Sequence, residues 1–174
     1  MAPADQVLEV ICDAGSLIHL DELDCLDLLA DFAAVWVPEQ VWREVDVHRP
    51  EALSNPAVEF RRVSDRTPAG ALLRTVVRTL GLHRGEEAAL CCMIDHPAAL
   101  LLTDDAAARV AARSLGYRAH GTVGVLLRSI RTGRRLRTDV VRILRSVPEI
   151  SSLHIRRDLL KEIIEQVDRG DGIG

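Results

Sequence analysis

An apolar run that stops on an acidic residue is the feature that most constrains how this chain can fold. The run from Val7 to Cys12 is interrupted only by Glu9, and Asp13 and Ser16 follow it. This pattern predicts a buried strand with a helix after it, beginning near Leu17. Ligands bind beyond the carboxyl ends of strands in open α/β sheets, so Asp13 is a candidate site residue. The simpler interpretation is that Asp13 or Ser16 only caps the helix.

Strand and helix patterns alternate along the whole chain, which predicts an α/β fold with a mainly parallel sheet. The run from Ala99 to Thr103 lacks polar alternation, which favours a strand covered on both faces. We interpret residues 1–148 as one domain and residues 149–174 as a C-terminal helical appendage with a frayed tail. The other expected strands are Ala34–Val37, Val58–Val63 and Tyr117–His120. The expected helices are Asp24–Phe32, Glu39–Val45, Ala69–Leu80, Glu86–His96, Ala106–Leu115, Val123–Arg131, Asp139–Arg145 and Arg156–Val167.

Composition points to an ordinary globular protein. Of the 174 residues, 48% are hydrophobic, which is enough for a full core, and the net charge of −4 argues against a generally basic nucleic-acid binder. The cysteines form no Cys-x-x-Cys pair and no zinc-like spacing with histidine. No apolar run reaches membrane length, and the N-terminus lacks a signal-peptide pattern. We therefore expect a reduced, cytoplasmic protein that is not in the membrane. The four cysteines are Cys12, Cys25, Cys91 and Cys92.

Four acidic positions stand in distinctive local settings. Each also has a simpler interpretation, as a helix cap, a first-turn acid or a solvated side chain. Because Asp13 and Asp105 both follow strands of one parallel sheet, we expect them at the same sheet edge. Two assignments stay open, because Glu87 adjoins Glu86 and Asp104 adjoins Asp105. The four positions are Asp13, Glu44, Glu86 and Asp105.

Converging carboxylates suggest a cation. A close pair repels by about 4 kcal/mol at an effective dielectric near 20, and a divalent ion offsets that cost. Oxygen ligands without Cys or His favour Mg²⁺ or Mn²⁺ over zinc. Such an ion activates water and stabilises phosphoryl displacement. The sequence does not fix whether one or two ions bind, and we assign the scattered histidines no role.

Five segments, in the same order along the chain, resemble the PIN-domain nucleases, in particular the short bacterial group that is similar to VapC-type toxins. They fall between residues 8 and 133, and each is weak alone. The segments are Ile11–Ile18, Val37–Val45, Arg84–Leu90, Leu102–Asp105 and Gly121–Leu127.

The resemblance implies a three-layer α/β/α sandwich and metal-dependent RNA cleavage by acids at Asp13, Glu44, Glu86 and Asp105. The Thr-x-Asp pattern that begins at Thr103 favours Asp105, while Asp104 remains a possible metal ligand. Ser16 fits a supporting role at the metal edge, or a helix cap. In many relatives the third acid is an aspartate inside a helix, whereas this chain has the longer Glu86.

The hypothesis is therefore a Mg²⁺- or Mn²⁺-dependent endoribonuclease, the toxin of a toxin–antitoxin pair, with RNA as its substrate. A cognate antitoxin and a homodimer are the expected partners. The alternative is a PIN-like module that has lost the chemistry and acts by binding protein or RNA.

Two further patterns bear on partners. Between Arg109 and Arg145 the chain carries ten arginines and a single acid, Asp139. This run is either a solvated face or a surface for a phosphate backbone. A helical stripe near the C-terminus either packs on the domain or receives a second copy or an antitoxin. The stripe comprises Leu159, Leu160, Ile163, Ile164 and Val167.

Overall fold

Five short parallel strands form the centre of the protein. The computed structural model describes residues 8–67 and 70–170. Val7, Ala69 and the predicted frayed tail beyond residue 170 lie outside the described residues. The strands are β1 (Glu9–Cys12), β2 (Ala34–Pro38), β3 (Phe60–Val63), β4 (Leu100–Leu102) and β5 (Arg118–His120).

The strands lie in the order β3-β2-β1-β4-β5, and every neighbouring pair is parallel. The chain builds outward from β1 to β3 and then returns to place β4 on the other side of β1. The two central strands therefore meet where the order reverses, which is where open α/β sheets bind ligands. Cys12 pairs with Leu102, so Asp13 and Thr103 leave the sheet side by side.

Helices cover both faces of the sheet. One buried cluster includes Val10, Leu17 and Leu126, and a separate cluster on the opposite face includes Ile11 and Leu101. The predicted α/β/α sandwich is thus confirmed. No helix among the described residues is both long and apolar enough to cross a membrane. The helices are α1 (Ala14–Glu22), α2 (Glu39–His48), α3 (Ala71–Leu80), α4 (Arg84–Asp95), α5 (Ala106–Ser114), α6 (Thr122–Arg131), α7 (Arg137–Ile150) and α8 (Arg157–Arg169).

One predicted helix is wrong in type. The segment predicted as an amphipathic helix over Asp24–Phe32 contains only a 3₁₀ helix, Leu26–Asp31. Asp24 has φ 53°, a left-handed conformation that interrupts a right-handed helix. Because Leu26 and Leu29 are both buried there, their spacing alone resembles that of an α-helix face.

The apolar stripe of α8 packs largely within the chain itself. Leu160 and Val167 belong to the buried core, and Ile163 and Ile164 pack against it. Leu159 is the most exposed member, with 38% of its surface accessible. A deletion of this helix would therefore expose core residues, so it would not test a partner role cleanly.

The packing of α1 on the sheet gives a stability prediction. Leu17 is fully buried, whereas Leu72 on α3 is 65% exposed. We expect Leu17→Ala to lower the free energy of unfolding by about 2–5 kcal/mol, because it leaves a cavity in the core. The matched control, Leu72→Ala, should change it by less than about 0.5 kcal/mol. Urea unfolding followed by circular dichroism measures both, and equal effects would contradict the described packing.

Candidate active site

A cavity opens at the carboxyl edge of the sheet, where β1 and β4 end. Its volume is about 330 Å³, and we call it the acidic cavity. All five acids named from the sequence as catalytic residues or metal ligands line it. They arrive from the ends of two strands and from two helices, and are Asp13, Glu44, Glu86, Asp104 and Asp105.

Asp13 is the most buried of these acids, with 5% of its surface exposed. Its Oδ1 accepts a hydrogen bond from the backbone N–H of Ser16 at 2.8 Å, so it also caps α1. Burial raises the pKa of Asp13 to about 6, although hydrogen bonds from Thr103 and Ser16 act in the opposite direction. The capping interpretation is therefore confirmed, and the same carboxylate also lines the cavity.

Ser16 holds the two central strand ends together and does not line the cavity. It is fully buried, and its hydroxyl donates to the carbonyl oxygens of Asp13 at 3.1 Å and Leu102 at 3.0 Å. The backbone N–H of Asp13 donates to the same Leu102 oxygen at 3.0 Å. Ser16 thus supports the site by fixing the backbone beneath Asp13.

Asp104 is held by a closed set of hydrogen bonds. Its Oδ1 accepts from the Thr122 backbone N–H at 2.8 Å, and its Oδ2 accepts from the Thr122 hydroxyl at 2.5 Å. His19 Nδ1 also donates to Oδ2, at 2.8 Å. Burial raises the pKa of Asp104, but the bonds from His19 and Thr122 outweigh it and lower the pKa below its usual value. Asp104 therefore remains ionised and joins α1, β4 and α6.

Asp105 is more exposed than Asp104 and has fewer partners. Its Oδ1 accepts from the Ala108 backbone N–H at 2.7 Å, which caps α5. Its own N–H donates to the hydroxyl of Thr103 at 3.2 Å. Thr103 is fully buried. It links the acids that follow the two strands, because its hydroxyl accepts from the Asp105 N–H and also hydrogen-bonds to Asp13.

Two glutamates complete the opposite wall. A Cβ at Gly85 would lie 2.9 Å from Glu44 Oε2, so glycine is what lets this carboxylate approach the start of α4. Burial raises the pKa of Glu86, and the charges of Asp105 and Glu44 raise it further, against the hydrogen bond from His83 N–H. The lining of the cavity includes Glu86 but not Glu87.

The carboxylate oxygens of this cavity are ligands that suit a hard divalent cation. Their side chains, however, do not converge on a single point. Within residues 8–67 and 70–170, no three His, Cys, Asp or Glu side chains form a group that would hold a metal ion. The raised pKa values of Asp13 and Glu86 both include repulsion from neighbouring carboxylates. A cation would relieve that repulsion, so the residues present fit the ion in charge and oxygen donors.

Sequence reasoning missed several residues of the cavity, including three of the six histidines. His19 lies one turn after Gly15 on α1, and both line the cavity, so a helix projection from Gly15 would have found it. Ser152, Leu153 and His154 come from the connection between α7 and α8, and no local pattern marks them. The connection is fastened to α1, since Glu22 accepts from the backbone N–H of Ser152 at 2.6 Å. The missed residues are His19, His83, Ser152, Leu153 and His154.

Burial of Asp13 predicts a pH-dependent stability without metal. Because its folded pKa lies near 6 and its ordinary value is 3.8, the folded state binds more protons between these values and loses stability as pH rises through them. Asp13→Asn removes this cost and keeps an oxygen for the cap. We expect the variant in EDTA to be more stable by up to about 3 kcal/mol near neutral pH, with the gain gone by about pH 4.

Urea unfolding across that pH range measures the effect, with the exposed Asp46→Asn on α2 as the control. Asp46→Asn should follow the wild-type curve at every pH. A wild-type protein that is as stable as Asp13→Asn at neutral pH would contradict the burial argument.

The neighbouring acids Asp104 and Asp105 give a paired prediction. Asp104→Asn replaces one acceptor oxygen by an NH₂ donor that faces the donors of His19 and Thr122, so we expect a loss of about 1–3 kcal/mol. Asp105→Asn should cost less than about 1 kcal/mol, because asparagine also caps helices well. Thermal unfolding at neutral pH in EDTA compares them directly, and a larger loss for Asp105→Asn would contradict this assignment.

Comparison with known proteins agrees with the geometry. A family model described as PIN domain matches residues 9–169, which extends from β1 through α8. Neither the curated proteins nor the solved structures contain a significant match to the chain. PIN domains are typically nucleases that use divalent metals. Because this match covers most of the chain and the acids of the chain line one cavity, the chain belongs to the PIN-domain family.

Proposed function

We propose that the protein is a divalent-metal-dependent endoribonuclease that hydrolyses RNA phosphodiester bonds. The observation that carries the proposal is the convergence of Asp13, Glu44, Glu86 and Asp105 on one cavity at the carboxyl edge of the sheet. Membership of a family of nucleases supports hydrolase chemistry in general. RNA as the substrate and Mg²⁺ or Mn²⁺ as the ion are part of this proposal.

Asp13, Glu44, Glu86 and Asp105 would hold the ion. When bound, the cation activates water and stabilises charge on the phosphodiester as it is cleaved. Asp104 is assigned a positioning role, because its two oxygens already accept three hydrogen bonds. Ser16 and Thr103 keep the two strand ends in register beneath the site. Glu44 and Glu86 line the cavity from α2 and α4. The phosphate would therefore enter between these carboxylates and those at the strand ends.

We also propose that the protein is the toxin of a toxin–antitoxin pair and forms a homodimer. The support is the resemblance of its five segments to VapC-type toxins. An adjacent small gene that encodes a DNA-binding or antitoxin-like protein would favour this role. If the acids hold no cation, the alternative of a PIN-like binding module takes its place.

Metal binding provides the decisive test. Mn²⁺ or Mg²⁺ should raise the melting temperature of the wild-type protein, since an ion at about one hundred times its Kd adds about 2.7 kcal/mol of stability. Purified protein with the ion should cleave RNA, and EDTA should stop it. Asp13→Asn should lose the melting shift and lower cleavage by at least about a hundredfold, whereas the control Asp46→Asn should retain both.

The melting shift should be measured before cleavage, because a nuclease selective for one RNA would not cut an arbitrary substrate. Zn²⁺ belongs in the same titration, since imidazole groups of His19, His83 and His154 also line the cavity. Because Zn²⁺ binds most nitrogen and oxygen sites more tightly than Mn²⁺, the deciding result is activity: RNA cleavage supported by Zn²⁺ but not by Mn²⁺ or Mg²⁺ would overturn the assignment of the ion. If the folded wild-type protein shows neither a melting shift nor cleavage of diverse RNAs, the proposed ribonuclease activity is overturned.

A further inference from the structure

A second, larger cavity adjoins the acidic cavity. Its volume is about 690 Å³, within the range of about 300–1,000 Å³ that ligand pockets occupy. It lies between α5, the connection from β5 to α6, and the segment that enters α8. We call it the basic groove, and the charged and titratable side chains that line it are Arg109, Arg113, Arg156, His120, His154 and Asp104.

The arginines of the sequence run are not one surface, since several are already paired. Arg134 lies 3.2 Å from Asp31, Arg135 lies 2.8 Å from Asp27, and Arg142 lies 3.3 Å from Asp139. These guanidinium groups fasten α6 and α7 to their surroundings or lie on the outer face of α7. The run therefore divides into arginines that form ion pairs within the protein and arginines that could bind a ligand.

Arg109 and Arg113 belong to the second group. They lie four residues apart on α5, on one helix face, and both line the basic groove. Among the described residues, neither has a hydrogen-bond or ion-pair partner. Arg109 is nevertheless half-buried, and its Nη1 would lie 3.3 Å from a Cβ at Gly121. Asp104 lies against the same Gly121 position but forms no ion pair with Arg109, so an anionic ligand would give this partly desolvated cation a direct partner.

Cationic side chains outnumber acids in the groove. Among the described residues, Asp104 is the single acid in its lining, and hydrogen bonds from His19 and Thr122 engage that charge. Burial lowers the pKa of His120, and the charges of Arg131, Arg118 and Arg113 lower it further. The N-terminus of α6 also meets the groove at Gly121, which adds the positive end of a helix dipole.

The basic groove and the acidic cavity are continuous. Asp104, Leu153 and His154 line both of them. Leu153 and His154 follow Ser152, whose hydroxyl and backbone N–H are bound to Glu22, so this shared wall is fixed in place. A flexible polyanion that occupied the groove would therefore pass the hydrogen-bonded carboxylate of Asp104 before it reached the other acids.

The groove selects for phosphate and not for bases. The described residues that line it include no Phe, Tyr or Trp, which are the usual platforms for stacked bases. Guanidinium groups bind phosphate through paired hydrogen bonds, and glycine at position 121 leaves room for the side chains of Asp104 and Arg109. The groove thus suits a sugar–phosphate chain of variable sequence.

We propose that the basic groove binds the phosphodiester backbone of single-stranded RNA on one side of the bond that is cut, with Arg109 and Arg113 contacting its phosphates. The proposal rests on the proposed function, because it takes the acidic cavity as the place of cleavage. It narrows the arginine run between Arg109 and Arg145 to two substrate-binding residues. The arginines of the basic groove would hold the RNA backbone, and the next phosphates would reach the carboxylates of the acidic cavity.

The test compares two double variants that remove equal charge. Arg109→Gln/Arg113→Gln alters the groove, and Arg142→Gln/Arg145→Gln alters two exposed arginines of α7 that line neither cavity. Binding of a fluorescent single-stranded RNA of about 12 nucleotides is measured by anisotropy in EDTA, so that cleavage plays no part. The groove variant should raise the Kd at least about tenfold, and the control variant less than about twofold.

Salt dependence adds a second readout. The slope of log Kd against log salt should fall by about 1.4 in the groove variant, since each phosphate contact to a single strand accounts for about 0.7. Its Mn²⁺ melting shift should equal that of the wild type. Equal losses of RNA binding in the two variants, or an unchanged slope in the groove variant, would overturn the proposal.

The two proposals fail in distinguishable ways. If the wild type shows no metal-dependent melting shift but the groove variant alone loses RNA binding, the nuclease fails and the groove stands as a backbone-binding site. If metal binding and cleavage hold while both double variants bind RNA alike, the nuclease stands and the groove assignment fails.

Discussion

The parallel pairing of β1 with β4 is the interaction on which the site depends. It places Cys12 opposite Leu102, so the acids that follow the two strands emerge together. Ser16 reinforces the junction by donating to carbonyl oxygens on both strands. Because the order of the sheet reverses at this pair, no helix crosses above it and a cavity remains open. A slip of one residue in this pairing would turn Asp13 and Thr103 away from each other.

Around that junction the protein separates two kinds of charge. Carboxylates gather in the acidic cavity, where burial and mutual repulsion raise the pKa of Asp13 and Glu86. Arg109 and Arg113, which have no ion-pair partner among the described residues, line the adjoining basic groove. Asp104 stands between them, and its hydrogen bonds keep its charge bound to His19 and Thr122. This arrangement favours a ligand that carries both a polyanionic chain and a metal-binding phosphate, which is the chemistry of a nucleic acid.

The sheet and most of its helices could be predicted because their signals are local. Apolar runs marked β1, β2 and β4, whereas β3 was marked by alternation and β5 by a short segment before Gly121. The helices α4 and α5 fall within two residues of their expected bounds. The 3₁₀ helix Leu26–Asp31 was missed because buried leucines give the same apolar spacing in either kind of helix. α7 runs to Ile150, beyond the predicted end at Arg145, because Val147 packs in the core and extends the helix.

The sequence by itself determined the class of fold, the positions of the acids and the strand ends on which Asp13 and Asp105 stand. These follow from hydrophobic periodicity and from the rule that parallel strands end at one edge. Only the tertiary structure decided that Asp104 is engaged by His19 and Thr122, that Glu86 and not Glu87 lines the cavity, and that Arg134, Arg135 and Arg142 form ion pairs. Those outcomes depend on contacts between residues far apart in the chain, and such contacts leave no local pattern.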